Sequence, residues 1–280
     1  FRGNLSVIEK PSTKTLAQYS NRVVNNVPYK KENELVADGR NNNPIPKKVG
    51  DPSPIKYVFY IIKENRTYDQ VLGDVKEGNG DSSLCLFPEA ITPNQHKLAK
   101  EFVLLDNFYV DAEVSADGHN WSTGAYATDY VEKTWPMSYG GRGGAYDFEG
   151  TKKLTWPQKG YIWDHCKRAG VTYRTYGEYG AQGKAVIPAL VGHVSDVFTG
   201  YNLSVRDTTR FSQWKHDFDS LLAMNAVPRF NSIRMGNDHT EGLRKGRPSP
   251  FAYVADNDLA VGMLVAHLSK SPIWNESVVF

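Results

Sequence analysis

Cysteine, long apolar runs and an excess of charge of one sign are scarce in this 280-residue sequence. The two cysteines, Cys85 and Cys166, exclude a disulfide framework and a cysteine-rich zinc site, and they are compatible with either one disulfide or two free thiols. The lack of an apolar run of about 18 residues excludes a transmembrane helix. Because 33 basic residues stand against 31 acidic ones, the composition argues against a dedicated nucleic-acid-binding protein.

The residues that are abundant indicate a folded protein. Hydrophobic residues make up 40% of the chain and aromatic residues 12%, so a sizeable core can form and extensive disorder is excluded. Residues 28–54 are instead rich in Lys, Asn, Asp, Gly and Pro, which is typical of a linker or an extended surface segment. An ordered arm is the alternative. Both ends of the sequence, at Phe1 and Phe280, read as cuts within a longer polypeptide.

Beyond residue 54 the sequence alternates between apolar runs and helical patterns. Strands are predicted at residues 55–62, 102–110, 171–176 and 277–280, and helices at residues 119–135, 162–170 and 256–269. The first strand is apolar almost throughout, as expected for a strand buried on both faces of a parallel sheet. The pattern therefore predicts an α/β fold, with a mostly parallel sheet and helices on both faces.

Polar residues directly after these strands are the candidate functional residues, because open parallel sheets bind ligands beyond the carboxyl ends of their strands. Glu64 and Asn65 follow the first strand, and Asp238 and His239 follow a short run at residues 230–235. Carboxylate, amide and imidazole groups are metal ligands. Each turn is also compatible with an ordinary solvated strand-to-helix connection.

A third turn carries a hydroxyl group and an acidic residue. Ser115, Asp117 and His119 lie between the predicted strand at 102–110 and the helix at 119–135. A hydroxyl at a helix N-terminus is suited to a phosphorylated intermediate. Asp117 could instead act only as the N-cap of that helix. The remaining histidines are interpreted as surface or core residues: His96, His165, His193, His216 and His267.

Several motifs together resemble the phosphoesterase family of bacterial phospholipases C and acid phosphatases, within the alkaline phosphatase superfamily. They are residues 61–70 (Ile-Ile-Lys-Glu-Asn-Arg-Thr-Tyr-Asp-Gln) and residues 105–109 (Leu-Asp-Asn-Phe-Tyr). Three more resemble the branch in which this domain follows a β-propeller: residues 114–121 (Val-Ser-Ala-Asp-Gly-His-Asn-Trp), 128–134 (Thr-Asp-Tyr-Val-Glu-Lys-Thr) and 237–240 (Asn-Asp-His-Thr). The resemblance covers residues 55–280, and residues 1–54 would then be the end of the propeller plus a linker.

The resemblance implies a metal-dependent phosphoester hydrolase, either a phosphatase or a phosphodiesterase, with an alkaline phosphatase-like fold that is incomplete at its C-terminus. Glu64 and Asn65 match the family's first metal-ligand pair, and Asp238 and His239 match a later ligand segment. The metal would be a divalent ion such as zinc, calcium or manganese. Further implications are a phosphoester substrate, a propeller domain in the same polypeptide, and a periplasmic or extracellular (secreted) location.

The nucleophile is where the sequence departs from the family. The ungapped match to the family's nucleophile turn places Asp117 at that position, and a shift by two residues restores a hydroxyl, Ser115. We expect Ser115 to be the nucleophile, because a seryl alkoxide is the chemistry of the superfamily. Ser122 and Thr123 are weaker candidates inside the helix. His119 could donate to the substrate, orient the turn or only pack.

Two other functions remain open at this point. The missing nucleophile turn is compatible with a binding or surface-adhesion module that keeps the fold without its chemistry. A sulfatase-like or phospholipase C-like specificity on the same scaffold is the other alternative, although neither cysteine lies in a sulfatase motif. In the family, an acidic cluster and a histidine segment follow the strand at 277–280, so this piece alone is expected to bind metal weakly and to be inactive.

Overall fold

A computed structural model describes residues 5–27, 30, 31, 36, 43–142 and 149–280, with only the backbone described for residues 115 and 116. The chain divides into two compact units, Phe1–Pro54 and Ile55–Phe280. The first unit contains helix α1 (Thr13–Asn26), which begins where the Ser12 side chain accepts a hydrogen bond from the Thr15 backbone N–H. None of the α1 residues is buried.

The second unit is built on a four-stranded, entirely parallel sheet, as predicted. Its strands are β1 (Tyr57–Ile62), β2 (Tyr173–Tyr176), β5 (Phe230–Arg234) and β6 (Ser277–Val279), in the order β2-β5-β1-β6. The two short strands β3 (Gly180–Ala181) and β4 (Lys184–Ala185) form a separate antiparallel pair. The sheet confirms the predicted α/β class, and its carboxyl edge is formed by the ends of β1, β2 and β5.

Seven helices accompany this sheet in the described part of the second unit. They are α2 (Tyr68–Leu72), α3 (Pro93–Glu101), α4 (Ser115–Gly124), α5 (Asp129–Tyr139), α6 (Ile162–Arg168), α7 (Asp207–Ala223) and α8 (Pro250–Leu268). Among the described helices, none is long and apolar enough to cross a bilayer. Cys85 and Cys166 are free thiols.

Successive β1 residues enter two different hydrophobic cores, since side chains alternate across a strand. Phe59 packs with α7 and α8, where its ring makes edge contacts with Trp214 and Phe218 at centroid distances of 6.4 and 6.0 Å. Tyr60 faces the opposite core, which contains Trp163 of α6 and Phe230. Both faces of the sheet are therefore covered by helices, which explains the continuous apolar run of β1.

Two predictions for residues 102–135 are wrong. Residues 102–110 form turns and irregular backbone, and their large side chains other than Leu104 are exposed, with Phe108 at 77%. The predicted helix at 119–135 is two helices: α4 begins earlier, at Ser115, and ends at Gly124, where the following residue Ala125 has a left-handed φ of 61°. Thr128 then caps α5 by accepting a hydrogen bond from the Val131 N–H. A left-handed residue cannot continue a right-handed helix, so the pattern breaks there.

Candidate active site

Two turns at the carboxyl edge of the sheet form the candidate site. β1 and β5 are neighbours, and Ile62 pairs with Arg234 at their ends. The residues after β1 therefore meet the short 3-10 turn Asn237–His239 that follows β5. Glu64 and Asp238 line one cavity of about 180 Å³ between these turns.

Arg66 and Asn65 fasten the turn after β1 to the turn after β5. The Arg66 Nε–H donates to the Asp238 carbonyl oxygen at 2.8 Å, and its Nη2 donates to the His239 carbonyl at 3.1 Å. The Asn65 side-chain amide also donates to the His239 carbonyl, at 3.3 Å, from a backbone with a left-handed φ of 67°. These contacts join the two turns through side-chain donors and backbone acceptors.

Asp238 is the buried acid of the cavity. Its Oδ2 accepts a hydrogen bond from Lys63 Nζ at 3.2 Å, while its Oδ1 has no hydrogen-bond partner within the described part of the chain. Burial raises the pKa of Asp238 to about 6, although the nearby Lys63 ammonium acts in the opposite direction. A buried carboxylate oxygen without a hydrogen-bond partner destabilises the folded protein. The Asp238 side chain is therefore suited to bind a cation or a hydrogen-bond donor of a ligand.

Helices α7 and α8 supply the support beneath Lys63 and the 237–239 turn. Lys63 also donates to the side-chain oxygen of Asn257 in α8, and the Asn257 amide donates to Asp207 of α7 at 2.9 Å. The same Asp207 carboxylate accepts the backbone N–H of Asn237 at 2.8 Å and pairs with Arg210 at 2.8 Å. This buried network fixes the turn that carries Asp238.

A second cluster surrounds Arg234, the last residue of β5. Its guanidinium lies 2.9 Å from Glu64, 2.5 Å from Glu149 and 3.7 Å from Glu178, and its side chain is 4% exposed. It also lies over the Tyr201 ring at 4.6 Å. One buried arginine thus faces three carboxylates.

His119 connects α4 to this cluster. Its Nδ1 lies 2.6 Å from Glu178 Oε1, and its Nε2 lies 3.6 Å from Glu64 Oε1 and 3.3 Å from Arg234 Nη2. Burial disfavours the charged imidazolium, but the Glu178 carboxylate outweighs it and raises the pKa of His119 to about 9. Burial likewise opposes ionisation of Glu64, yet His119 and Arg234 lower the pKa of Glu64 to about 2. Both groups are therefore charged at neutral pH.

The structure brings Glu64, Asn65, Asp238 and His119 to the same edge of the sheet. His239 also lies in the turn, where its Nδ1 is 3.0 Å from the Thr240 carbonyl.

The predicted nucleophiles lie on α4. Asp117 is buried in the first turn of α4 instead of at its N-cap, which is Val114, so the N-cap interpretation is wrong. Ser115 begins the helix, and its side chain lies outside the described residues. The Ser122 and Thr123 hydroxyls donate to the His119 carbonyl at 3.3 and 2.5 Å, within the helix.

Five charged residues of the site were absent from the sequence-based prediction: Lys63, Arg66, Glu149, Glu178 and Arg234. Lys63 directly follows β1, Arg234 ends β5, and Glu178 lies two residues after β2. The rule that selected Glu64, namely a position at a strand's carboxyl end, would have found all three. No strand is predicted before Glu149, and the sequence carries no signal for it.

The donor atoms of the cavity fit a divalent cation in chemistry. Two carboxylates line it, one oxygen of Asp238 has no partner within the described residues, and oxygen is the ligand atom of hard cations. Lys63 and Arg234 nevertheless pair with these carboxylates. In the described part of the chain, no group of three or more His, Cys, Asp or Glu side chains is arranged to hold a metal ion.

Comparison with known proteins adds no assignment to this geometry. The chain matches no family model and no curated protein. The arrangement of Glu64, Asp238 and the surrounding cations therefore carries the functional argument.

Proposed function

We propose that this chain is a metal-dependent phosphoester hydrolase, a phosphatase or phosphodiesterase whose cation would be held by Glu64 and Asp238. The observation that carries the proposal is the cavity at the carboxyl edge of the sheet, where these carboxylates lie beside Lys63 and Arg66. The cavity thus combines acidic groups that can bind a cation with basic groups that can bind an anion. This combination is suited to a phosphoester substrate. Zinc, calcium and manganese are the proposed ions, with Asn65 and His239 as further ligand candidates from the family resemblance.

The charges around the cavity fit the needs of phosphoryl transfer. Lys63 and Arg66 line the cavity and carry the positive charge that would attract and orient a phosphate group. A divalent cation, when bound, would supply further neutralisation of the phosphoryl oxygens. The small volume, about 180 Å³, suits the phosphate and leaves a large alcohol group outside.

Ser115 remains the proposed nucleophile. Its hydroxyl would attack phosphorus as the phosphorus–oxygen bond to the alcohol breaks, and the alcohol leaves with a proton. Water would then attack the phosphoseryl group and break the bond between phosphorus and the serine oxygen. This step releases phosphate, or a phosphate monoester when the substrate is a diester, and a proton from water restores the hydroxyl. Ser122 and Thr123 are weaker candidates, because both hydroxyls are used within α4. Asp117 is the alternative nucleophile, because the ungapped alignment places it at the nucleophile position.

A binding module without catalysis is the second candidate. The observation in its favour is that Glu64 already pairs with Arg234 and His119, so charge at this carboxylate is balanced by side chains. A propeller domain in the same polypeptide and a location outside the cytoplasm are proposals that rest on the family resemblance alone.

Hydrolysis of a chromogenic phosphate monoester and diester by the longer polypeptide that the family resemblance implies, with added Mn²⁺ or Zn²⁺, tests the two candidates. We expect chelator-sensitive turnover that Glu64→Gln and Ser115→Ala abolish. The control Glu276→Gln removes only an exposed ion pair with Lys56 and should keep wild-type turnover. Cation binding without turnover would favour the binding module, and retained turnover in Ser115→Ala with loss in Asp117→Asn would identify Asp117 as the nucleophile.

A further inference from the structure

Helix α1 of the first unit has one apolar face and one polar face. Leu16, Tyr19 and Val23 follow one another at spacings of three and four residues, so they share one side of the helix. Ala17 and Val24 extend this side. The opposite side carries only polar and basic residues: Lys14, Thr15, Gln18, Asn21, Arg22, Asn25 and Asn26.

The apolar face of α1 is exposed. Its larger side chains expose between 52% and 70% of their surface: Leu16, Tyr19, Val23 and Val24. A helix of this length is only marginally stable in water by itself, and most helices gain their stability by covering an apolar face. A surface that covers this face would therefore stabilise α1.

The charges on α1 and its flanks are all of one sign. Residues 10–31 contain no acidic residue and five basic ones: Lys10, Lys14, Arg22, Lys30 and Lys31. The nearest acidic residues, Glu9 and Glu32, lie outside the helix. The whole chain is nearly balanced, with 33 basic against 31 acidic residues, so the excess is local. It complements a negatively charged surface.

The composition of the apolar face favours a lipid surface over a groove on another protein. Helices that bind in protein grooves insert large anchor side chains into pockets. Helix α1 contains neither Phe nor Trp, and Ser20 lies within its apolar face. The headgroup region of a bilayer accepts a shallow apolar face without a complementary shape, and it favours tyrosine, here Tyr19.

We propose that α1 binds the surface of an anionic lipid bilayer, with Leu16, Tyr19 and Val23 toward the acyl chains and with Lys14 and Arg22 toward the lipid phosphates. The helix would lie on the bilayer, since its 14 residues extend only about 21 Å and the hydrocarbon core is about 30 Å thick. The inference does not involve the cavity of the second unit, and it goes beyond the proposed hydrolase function.

Co-sedimentation of the 280-residue chain with lipid vesicles tests the proposal. Vesicles of phosphatidylcholine and phosphatidylglycerol are compared with vesicles of phosphatidylcholine alone. A basic side chain near an anionic surface strengthens binding about fivefold, so the anionic vesicles should bind at least about tenfold more tightly, and Arg22→Gln should weaken that binding about fivefold. The control Lys97→Gln removes an exposed lysine of α3 and should leave the affinity unchanged.

A second variant removes the apolar face and keeps the charge. Burial of one Leu or Val side chain favours the bound state about tenfold or more, so Leu16→Gln combined with Val23→Gln should weaken binding at least about tenfold. The matched control Leu243→Gln replaces an exposed leucine of the second unit and should bind like the wild type. Anionic vesicles should also increase the helical circular dichroism signal of the wild type and the controls, and not that of the double variant.

The outcomes decide between lipid and the other surfaces that could cover α1. Binding to anionic vesicles that Arg22→Gln and the double variant weaken, and that both controls retain, would support the proposal. Equal binding by the wild type and the double variant, or no binding to anionic vesicles, would overturn it and leave the hydrolase proposal standing.

Two further outcomes would assign the apolar face to a protein surface and overturn the proposal. Dimerisation without lipid that the double variant abolishes would show that a second copy covers the face. Vesicle binding by the 280-residue chain that is lost in the longer polypeptide would show that a neighbouring domain covers it.

Discussion

Removal of the Arg234 side chain should strongly destabilise the second unit, because it leaves several carboxylates without a counter-charge. Its side chain is 4% exposed and lies within 2.5–3.7 Å of Glu149, Glu64 and Glu178. Arg234→Met keeps much of the apolar volume and removes the charge. The carboxylates then remain buried without their main counter-charge, so we expect a large loss in the free energy of unfolding.

The size of that loss follows from comparison with a second arginine. Breaking a buried ion pair by removing one partner costs about 3–5 kcal/mol, whereas exposed pairs contribute about 0–1 kcal/mol. Among the residues that the structure describes, Arg174 pairs with Asp217 alone, and both side chains are 16% exposed, so Arg174→Met should cost about 1–2 kcal/mol. The excess expected for Arg234→Met is therefore about 1–4 kcal/mol.

Urea unfolding at pH 7.5 and pH 5, followed by circular dichroism, measures this excess. It should shrink as the pH falls, because burial raises the pKa of Glu149 and the folded protein therefore takes up a proton at this carboxylate more readily than the unfolded chain does. A loss for Arg234→Met no greater than that for Arg174→Met, or an excess that grows at pH 5, would refute the reasoning.

Two further predictions concern His119 and Phe59. Although burial opposes it, the Glu178 carboxylate raises the pKa of His119 from 6.5 to about 9, so the stabilisation is complete below pH 6.5 and is lost as the pH rises through 9. Between pH 6.5 and pH 9, the free energy of unfolding should fall by about 3 kcal/mol more in the wild type than in His119→Asn, as measured by urea unfolding. An equal fall in both proteins would contradict the raised pKa of His119. Phe59→Ala should cost about 3–5 kcal/mol in urea unfolding, while the exposed Leu243→Ala should stay within about 0.5 kcal/mol; similar losses would place Phe59 outside the core.

The local sequence pattern correctly predicted strands that are buried in the sheet, but it wrongly predicted a strand for a segment that lies outside the sheet. The run at β1 and the run at β2 both become strands. Residues 102–110 are also rich in aromatic and β-branched side chains but stay mostly exposed. The preference of a residue for strands largely reflects packing against neighbouring strands. Whether a segment has such a neighbour depends on the tertiary structure, which the sequence of the segment alone does not reveal.

In the candidate site, too, some residues could be predicted from the sequence and others could not. Glu64 and Asp238 were predictable because strand ends in a parallel sheet converge. Arg234 and Glu178 obey the same rule and could have been included. Glu149 reaches Arg234 from a sequence position 85 residues away, and only the folded chain brings them together. The charge state of His119 likewise depends on its burial and on the nearby Glu178 carboxylate. The sequence around His119 does not reveal either feature.

The order of strands in the sheet has a consequence for how the protein is made. β1 lies between β5 and β6, and both partners are encoded far downstream: Lys56, beside β1, bonds to Glu276, 220 residues later. During synthesis β1 leaves the ribosome long before either neighbour exists. Pairing of such distant segments is slow, and unpaired apolar strands are prone to aggregation meanwhile. Chaperone dependence of this protein should therefore be greatest while the nascent chain carries β1 but not yet β5.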